Sequence, residues 1–328
     1  MRLLKLLNLG VALAVLATAV LGAQGPSKVL GISDAGKAAL TAQMNDAVKK
    51  GDAPAVVELV VNRDGILYEG ASGLPTNAIF NIASMTKPVT SVAIMMLAEQ
   101  GRLQIDDPVS KYLPGFDKLQ VISKFNAADG SYETRPAKTT MTIKQLLSHT
   151  SGIGYSFTNP IEFAMVAKTK KGEWELPLLD DPGTKFHYSA STRVLGMIVE
   201  KVTGSTLEPW YQEHIFKPLG MVDTSYAVAA SKQSRLAPQF TRASGKVEPL
   251  PKGTVPATPT APFRGDGGLY STVEDYSKFI RMLLNGGTLG TAKFRFSLLS
   301  ISTLMTLGGQ TISQRRQPMH ASSPVSAS

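Results

Sequence analysis

The chain has 328 residues and a formal net charge of +9, with 43% hydrophobic and 18% charged residues. This apolar fraction is enough for a sizeable core and excludes global disorder. The basic residues are scattered and form no stripe interleaved with aromatic residues, which argues against a nucleic-acid partner. The chain has no cysteine, which excludes disulfides and a lipid anchor on an N-terminal cysteine.

The first residues have the pattern of a secretory signal peptide. Arg2 and Lys5 form a positive start, and the apolar run after them ends in small residues near Gly22 and Ala23. An uncleaved anchor helix is the alternative, but the run is short for a full membrane span. We therefore predict a signal peptide over residues 1–23, no stable membrane insertion after its cleavage, and a periplasmic or secreted bacterial protein.

The next stretches predict a helix, a hairpin and a buried helix. Residues from about 32 to 51 have helical spacing. The stretch PAVVELVVNRDGILYEGASG predicts a β-hairpin, because two β-rich runs flank a turn sequence at residues 62–65. The stretch FNIASMTKPVTSVAIMMLAEQG, residues 80–101, then predicts a helix that is apolar nearly all round and therefore buried.

The second half of the chain is rich in short helices and turns. VLGMIVEKVTG predicts a helix closed by Gly204, and STVEDYSKFIRMLLNGG predicts another with Ser271 or Thr272 as its N-cap. The Pro/Thr-rich segment between them reads as a long surface connection with short strands. This order of elements predicts an α/β or α+β core with a large helical insertion at about residues 105–260.

Ser84 and Lys87 are the first candidates for chemistry. Residues spaced by three share a helix face, and Pro88 is tolerated only in a first turn, so the helix should begin near Ser84. There the helix dipole stabilises negative charge on oxygen. Burial should lower the pKa of Lys87 toward a neutral amine that can accept the serine proton. The alternative is that Ser84 is only a helix cap and Lys87 only a surface side chain.

Tyr188 is the third candidate, in the segment GTKFHYSAS before a buried helix. A phenol hydrogen-bonded to a lysine ammonium would have a depressed pKa and could relay a proton to or from a leaving group. Taken alone, Tyr188 reads as a core aromatic residue. The S-x-x-K spacing of Ser84 and Lys87 is the nucleophile motif of β-lactamases and penicillin-binding proteins.

With these motifs the chain resembles the serine β-lactamase-like superfamily, in particular class C β-lactamase-related enzymes and family VIII carboxylesterases. The resemblance also rests on the stretches TIKQLLSHTSGIGY, IFKPLGMVDTSY and GGLYSTVEDYSKFIRMLLNGG. It implies a small antiparallel sheet flanked by helices, plus a helical subdomain, with the site between them. It also implies that Ser84 is the acylated nucleophile, Lys87 the base and Tyr188 the tyrosine of the family's Tyr-x-Asn motif.

Two departures from the family pattern bear on function. Ala190 replaces the asparagine that normally follows the tyrosine by two positions and helps to place an amide-bearing substrate. This makes esters more favoured substrates than β-lactams. A third family motif on a late strand has no match, since the residues after Gly309 are polar and lack alternation. We therefore expect a hydrolase domain over residues 24–308 without its C-terminal strands, an unstructured tail at 309–328, and weak activity.

Other motifs carry no separate chemistry. His149 lies in a stretch that the resemblance marks as structural, and the remaining histidines lack zinc-ligand spacing, so we predict no metal and no cofactor. There is no G-x-S-x-G elbow. The string Arg264-Gly265-Asp266 is associated with integrin binding, but the resemblance indicates a glycine-rich loop that lines the site.

The sequence thus predicts an exported serine hydrolase that acts through an acyl-serine intermediate, most readily on small carboxylic esters. Within enzymes, the alternatives are a D-Ala-D-Ala carboxypeptidase acting on peptides or a β-lactamase. Outside enzymes, the alternative is a non-catalytic module that binds envelope peptides. The acyl group and the oligomeric state are left open, because neither is encoded in a short motif.

Overall fold

The computed structural model of the chain describes residues 31–242, 245–250 and 255–294. The chain divides into two units, Met1–Ala39 and Leu40–Ser328. Helix α1 (Asp34–Lys49) begins in the first unit, and all elements after α1 belong to the second unit. Helix α1 lies within the span that the sequence predicts as helical.

Seven helices follow α1 in the described part of the chain. They are α2 (Thr86–Glu99), α3 (Ile143–Leu147), α4 (Pro160–Thr169), α5 (Ser191–Thr203), α6 (Leu207–Tyr211), α7 (Lys217–Leu219) and α8 (Val273–Leu284). Short 3₁₀ turns lie at Ala83–Met85, Val109–Lys111, Pro114–Phe116, Glu173–Glu175 and Ala230–Arg235, and a π-helical turn at Gln212–Phe216 joins α6 to α7. Helix α5 packs against both α2 and α3, so these three helices share one core.

Ten strands of the described residues form five antiparallel pairs. The pairs are β1 (Val56–Val61) with β2 (Ile66–Ser72), β3 (Phe80–Asn81) with β8 (Tyr270–Ser271), β4 (Gln120–Phe125) with β5 (Tyr132–Pro136), β6 (Phe240–Thr241) with β7 (Glu248–Pro249), and β9 (Thr288–Leu289) with β10 (Ala292–Lys293). The predicted fold class, with antiparallel strands flanked by helices, is confirmed. The strands form separate two-stranded sheets where one small sheet was expected.

The strands β1 and β2 form the predicted hairpin. In its turn, Asn62 Oδ1 accepts hydrogen bonds from the backbone N–H groups of Asp64 at 2.8 Å and Gly65 at 2.9 Å. Helix α8 packs against β1, and Arg281 Nη2 donates to the carbonyl of Asp64 at 3.0 Å. The hairpin is therefore attached to a helix that lies more than two hundred residues later in the sequence.

Helix α2 is buried, as its composition predicts. Ten of its fourteen residues are buried, so no face of this helix is left for solvent. Pro88 is the third residue of α2, a position whose N–H would have no partner within the helix. The proline therefore fits the first turn and agrees with a helix start close to Ser84.

Helix α8 begins with a side-chain cap. Thr272 Oγ1 accepts the backbone N–H of Asp275 at 3.1 Å, while Ser271 is the last residue of β8. Of the two predicted caps, Thr272 is therefore confirmed and Ser271 is wrong. Helix α5 ends at Thr203, where Gly204 adopts φ of +73° as the closing glycine.

Several predictions fall outside the described residues. The signal peptide at 1–23, the unstructured tail at 309–328 and the absence of late strands all lie in the undescribed parts of the chain. The boundaries of the hydrolase domain and of the helical subdomain stay predictions. Across residues 31–242, 245–250 and 255–294, no helix combines the length and apolarity needed to span a membrane.

Candidate active site

Ser84 lies on a strained turn directly before α2. It is the central residue of the 3₁₀ turn, and the preceding Ala83 has φ of +43°. Such left-handed backbone typically costs roughly 1–3 kcal/mol for a residue with a Cβ atom, and it concentrates at functional sites. Asn81 Oδ1 accepts the N–H of Ala83 at 2.9 Å and supports the turn. The turn leaves Ser84 half-buried at the N-terminal end of α2.

The Ser84 hydroxyl does not cap the helix. The capping positions are Ile82 for the 3₁₀ turn and Met85 for α2, and neither makes a side-chain capping bond. Instead, Ser84 Oγ accepts a hydrogen bond from Lys87 Nζ at 3.0 Å. The alternative in which Ser84 serves only as a helix cap is therefore wrong.

Lys87 is enclosed beside Ser84 and is 6% exposed, which excludes a surface side chain. Its Nζ also donates to the backbone carbonyl of Asp266 at 2.9 Å. Burial lowers the pKa of Lys87 to about 8, with the positive charge of Arg264 adding to the decrease and the negative charge of Asp266 opposing it. A substantial fraction of this amine is therefore neutral in weakly alkaline solution, as the sequence predicts.

Tyr188 lies in the segment before α5, with its ring centroid 4.9 Å from Lys87 Nζ. Burial raises the pKa of Tyr188, the Ser84 hydroxyl partly offsets this rise, and the charge of Asp266 adds to it. Tyr188 Oη is buried and makes no hydrogen bond of regular geometry with the described residues. The structure thus brings Ser84, Lys87 and Tyr188 together, but the depressed pKa expected for Tyr188 is wrong because burial outweighs its neighbours.

The segment from Arg264 to Leu269 is fastened along one side of α2. Thr90 Oγ1 donates to the carbonyl of Gly265 at 2.6 Å, and the N–H of Leu269 donates to Thr86 Oγ1 at 3.3 Å. Gly265 is required by close packing, since a Cβ atom there would lie 2.4 Å from the carbonyl oxygen of Thr192 in α5. The glycine-rich segment therefore lines the site, as the resemblance indicates.

The carboxylate of Asp266 is part of a buried network. Its Oδ2 accepts the hydroxyl of Tyr155 at 2.6 Å, while Arg264 donates from Nε to Oδ1 at 3.1 Å and from Nη2 to Oδ2 at 3.0 Å. Burial alone would raise the pKa of Asp266, but the hydrogen bonds from Arg264 and Tyr155 and the nearby positive charges lower it. The side chain of Asp266 is 1% exposed, which does not suit recognition by an adhesion receptor.

Aromatic rings surround the lysine. The Tyr155 ring centroid is 5.2 Å from Lys87 Nζ and 5.6 Å from the Tyr188 ring. His149 is buried, its ring lies 5.3 Å from that of Tyr188, and its Nδ1 is 2.9 Å from Ser189 Oγ. Burial, with the charge of Lys87 adding to it, lowers the pKa of His149 to about 4. His149 is therefore a neutral packing residue at ordinary pH.

The resemblance indicated that the segment of Arg264 and Asp266 lines the site, but the contacts of these two side chains and the part played by Tyr155 were not predicted from the sequence. Tyr155 ends the quoted stretch SGIGY, and the other two lie in RGDGG, but no spacing rule connects either stretch to Lys87. Their role depends on contacts between distant segments. In the part of the chain that the structure describes, no group of three or more histidine, aspartate or glutamate side chains is arranged to bind a metal ion.

Glu162, in the first turn of α4, supports the segment that carries Tyr155. Its Oε1 accepts the N–H of Gly154 at 2.8 Å, whereas its buried Oε2 has no partner among the described residues. Burial raises the pKa of Glu162 from 4.5 to about 7, with the charge of Glu173 adding to the rise. A raised pKa means that the folded state favours the protonated form. Its stabilising contribution is complete below about pH 4.5 and is lost as the pH rises through about 7.

We expect Glu162→Gln to flatten this pH dependence. The free energy of unfolding of the variant relative to wild type should increase by roughly 3 kcal/mol between about pH 5 and about pH 8.5. Urea unfolding at the two pH values measures it, with the exposed Glu133→Gln as the matched control. If the free energy of unfolding had the same pH dependence in wild type and in Glu162→Gln, the raised pKa of Glu162 would be contradicted.

The comparisons with known proteins agree with this geometry. The Beta-lactamase family model matches residues 40–320, and the chain belongs to this family. An uncharacterized protein of Mycobacterium tuberculosis, MT1414, is 35% identical over 232 residues, which cover 66% of this chain and 57% of that protein. The chain thus spans little more than half the length of this relative.

Two relatives with named activities cover more of the chain. Esterase EstB of Burkholderia gladioli is 29% identical over 73% of this chain and 67% of its own length. The acyltransferase mokF of Monascus pilosus is 28% identical over 91% of this chain and 79% of its own length. The resemblance to the serine β-lactamase-like superfamily, including its esterases, is confirmed.

A solved structure shows the same fold. Simvastatin synthase (LovD) from Aspergillus terreus superposes with a TM-score of 0.69 at 24% identity, covering 81% of this chain and 71% of that one. This likeness shows the architecture alone. The chain is therefore a Beta-lactamase-family protein that is similar to both esterases and acyltransferases.

Proposed function

We propose that this protein is a serine hydrolase that forms an acyl-serine intermediate with carboxylic esters. The observation that carries the proposal is the 3.0 Å hydrogen bond between Lys87 Nζ and Ser84 Oγ, made by a buried lysine whose pKa is lowered to about 8. A neutral amine at this distance can accept the hydroxyl proton as the oxygen attacks.

The proposed reaction has two halves. Ser84 Oγ attacks the ester carbonyl while its proton passes to Lys87, and the tetrahedral oxyanion accepts the backbone N–H of Ser84. Collapse of the tetrahedral intermediate breaks the bond between the carbonyl carbon and the alcohol oxygen. The alcohol oxygen takes the proton from Lys87 through Tyr188. Water then attacks the acyl carbon and gives a proton to Lys87. The bond between the acyl carbon and Ser84 Oγ breaks, Ser84 Oγ takes the proton back, and the acid leaves.

The choice of esters rests on Ala190. This residue stands where the family pattern has asparagine, and its side chain is fully buried at the start of α5. A methyl group cannot donate a hydrogen bond to a substrate amide. A polar amide that is left unpaired in a dry site is costly, whereas an ester presents no N–H donor to satisfy.

We expect p-nitrophenyl butyrate to be a better substrate than nitrocefin. The kcat/KM ratio should favour the ester by at least about tenfold, the effect of one lost hydrogen bond. Both substrates are measured on a single preparation, and Ala190→Asn tests whether the ratio moves toward nitrocefin. A wild-type preference for nitrocefin would contradict the substrate assignment.

Acyl transfer to an alcohol is a second candidate, favoured by the similarity to the acyltransferase mokF over most of the chain. The acyl-serine is the same intermediate, and only the acceptor differs. Product analysis with p-nitrophenyl butyrate in the presence and absence of a primary alcohol distinguishes the two. Butyrate as the sole product indicates a hydrolase, and a new butyrate ester indicates a transferase.

Fluorophosphonate labelling followed by peptide mass spectrometry tests the nucleophile directly. The Ser84 oxygen forms a bond to phosphorus, fluoride leaves, and the proton passes to Lys87. An adduct on Ser84 supports the acyl-enzyme mechanism shared by an esterase, a carboxypeptidase and a β-lactamase. No adduct would favour the non-catalytic module that binds envelope peptides.

We also propose that the protein is exported to the periplasm or secreted. The proposal rests on the positive start and apolar run of residues 1–23 and on the lack of cysteine. N-terminal sequencing of the protein recovered from a bacterial periplasmic fraction tests it. A mature N-terminus near Ala23 supports export, and an intact Met1 in the cytosolic fraction opposes it.

A further inference from the structure

Asp266 contacts the lysine through its main chain and influences it through its side chain. Its carbonyl oxygen accepts Lys87 Nζ at 2.9 Å, while its carboxylate accepts two hydrogen bonds from Arg264 and one from Tyr155. The carboxylate is buried, and the side chain of Arg264 is 56% exposed. The negative charge of this pair is therefore enclosed, and the positive charge lies partly in solvent.

The polar and titratable side chains around Lys87 come from four segments. They are Ser84 from the turn before α2, His149 and Tyr155 from the segment after α3, Tyr188 from the segment before α5, and Arg264 and Asp266 from the segment before β8. His149 is neutral at the pH of interest, because burial keeps its pKa about 4. Among the described residues, Arg264 and Asp266 are therefore the charged groups that act on Lys87.

We propose that Asp266 and Arg264 are positioning residues that place Lys87 on Ser84 and set the pH at which its amine becomes the base. The proposal rests on the proposed function, in which Lys87 accepts the proton of Ser84. The Asp266 carbonyl fixes the position of Nζ. The carboxylate stabilises the ammonium form, and the guanidinium both orients the carboxylate and opposes its effect on Lys87.

Removing either charge should shift the pH at which Lys87 deprotonates, and the two shifts should have opposite directions. Without the charge of Asp266, the ammonium group loses its counter-charge and Arg264 is unopposed, so the amine deprotonates at a lower pH. Without the charge of Arg264, the effect of the Asp266 carboxylate on Lys87 is unopposed, while the hydrogen bond from Tyr155 and the charge of Lys87 still lower the pKa of Asp266 and favour its ionised form. The amine then deprotonates at a higher pH. Solvent screening makes the second effect the smaller one, because Arg264 is more than half exposed.

The test uses the rate of Ser84 labelling by a fluorophosphonate, measured by mass spectrometry on the full chain between about pH 5 and about pH 10. Asp266→Asn keeps the size of the side chain and removes its charge. Arg264→Met removes the cation, Arg264→Lys retains it, and Lys124→Met removes one exposed positive charge that forms an ion pair with Glu133. Thermal unfolding establishes which variants are folded.

We expect the midpoint of the rate profile to move to lower pH by roughly one unit in Asp266→Asn. It should move to higher pH by roughly half a unit in Arg264→Met, and it should stay near the wild-type value in Arg264→Lys and Lys124→Met. A role limited to packing would slow the reaction or lower stability without moving the midpoint in opposite directions.

The outcomes separate this proposal from the proposed function. A wild-type protein that is not labelled on Ser84 overturns the proposed function. Labelling of wild type with midpoints that are unchanged in both charge-removing variants, or that move in the same direction, overturns the positioning role alone. If Asp266→Asn does not fold, the comparison of Arg264→Met with Arg264→Lys tests the proposal instead. The same pH midpoint of labelling in these two variants would show that the positive charge at position 264 has no effect, and would overturn the positioning role.

Discussion

Ser84→Ala is expected to abolish ester hydrolysis, lowering kcat by at least about 10⁴-fold, the scale measured when a catalytic serine is removed from a serine hydrolase. The variant retains the strained turn, Lys87 and Tyr188, but it has no oxygen that can be acylated. Its structural cost is small, because the Ser84 hydroxyl makes no capping bond and Lys87 retains the Asp266 carbonyl as an acceptor. The loss of stability should be about 1 kcal/mol.

The matched control for this substitution is Ser91→Ala. Ser91 is a buried serine within α2. Its replacement by alanine also removes one serine hydroxyl, but it leaves Ser84, Lys87 and Tyr188 unchanged. Steady-state kinetics with p-nitrophenyl butyrate and thermal unfolding of both variants give the comparison. Turnover in Ser84→Ala that matches the Ser91→Ala control would refute Ser84 as the nucleophile.

Lys87→Arg is expected to be nearly as inactive as Ser84→Ala. A guanidinium stays protonated at every working pH and cannot accept the proton of Ser84. Arginine is also larger than lysine, and the position is enclosed by the rings of Tyr155 and Tyr188. We expect kcat/KM to fall by at least about 10³-fold, at the level of a lost general base with displaced neighbours.

The pH dependence of the wild-type protein provides a second measure of the same proposed role. If the neutral amine of Lys87 is the base, as proposed, and its pKa is lowered to about 8, kcat/KM should rise with pH and level off above about 8. The matched control for Lys87→Arg is Lys111→Arg, because Lys111 is an exposed lysine that forms an ion pair with Asp107. Retained hydrolysis by Lys87→Arg at neutral pH would show that another group is the base.

Local pattern alone was enough to predict several elements of the fold. The hairpin β1–β2, the buried helix α2 and the glycine that ends α5 all follow from periodicity and turn residues within short windows. The pairing of β3 with β8 could not be predicted in this way, because these two-residue strands are too short to show a period and are separated by most of the chain. Short strands acquire their partners from the packing around them.

The candidate site likewise has features that local sequence predicts and features that depend on packing. The spacing of Ser84 and Lys87 by itself determined that their side chains meet, because residues three apart share one face of a helical turn. Tyr188 was found through the family resemblance, and its raised pKa was missed because desolvation depends on what packs around the ring. A helix brings near neighbours together through its own geometry, whatever the rest of the chain does.

Only the tertiary structure decided what surrounds the lysine. The contact between Lys87 and the Asp266 carbonyl joins residues 179 positions apart, and the bond between Tyr155 and the Asp266 carboxylate joins residues 111 apart. No local period encodes such contacts, since they form only when α2, α5 and the segments that carry Tyr155 and Asp266 pack together. The sequence therefore determined that Ser84 and Lys87 lie together, whereas burial and distant charges, which exist only in the folded chain, set the pKa of Lys87.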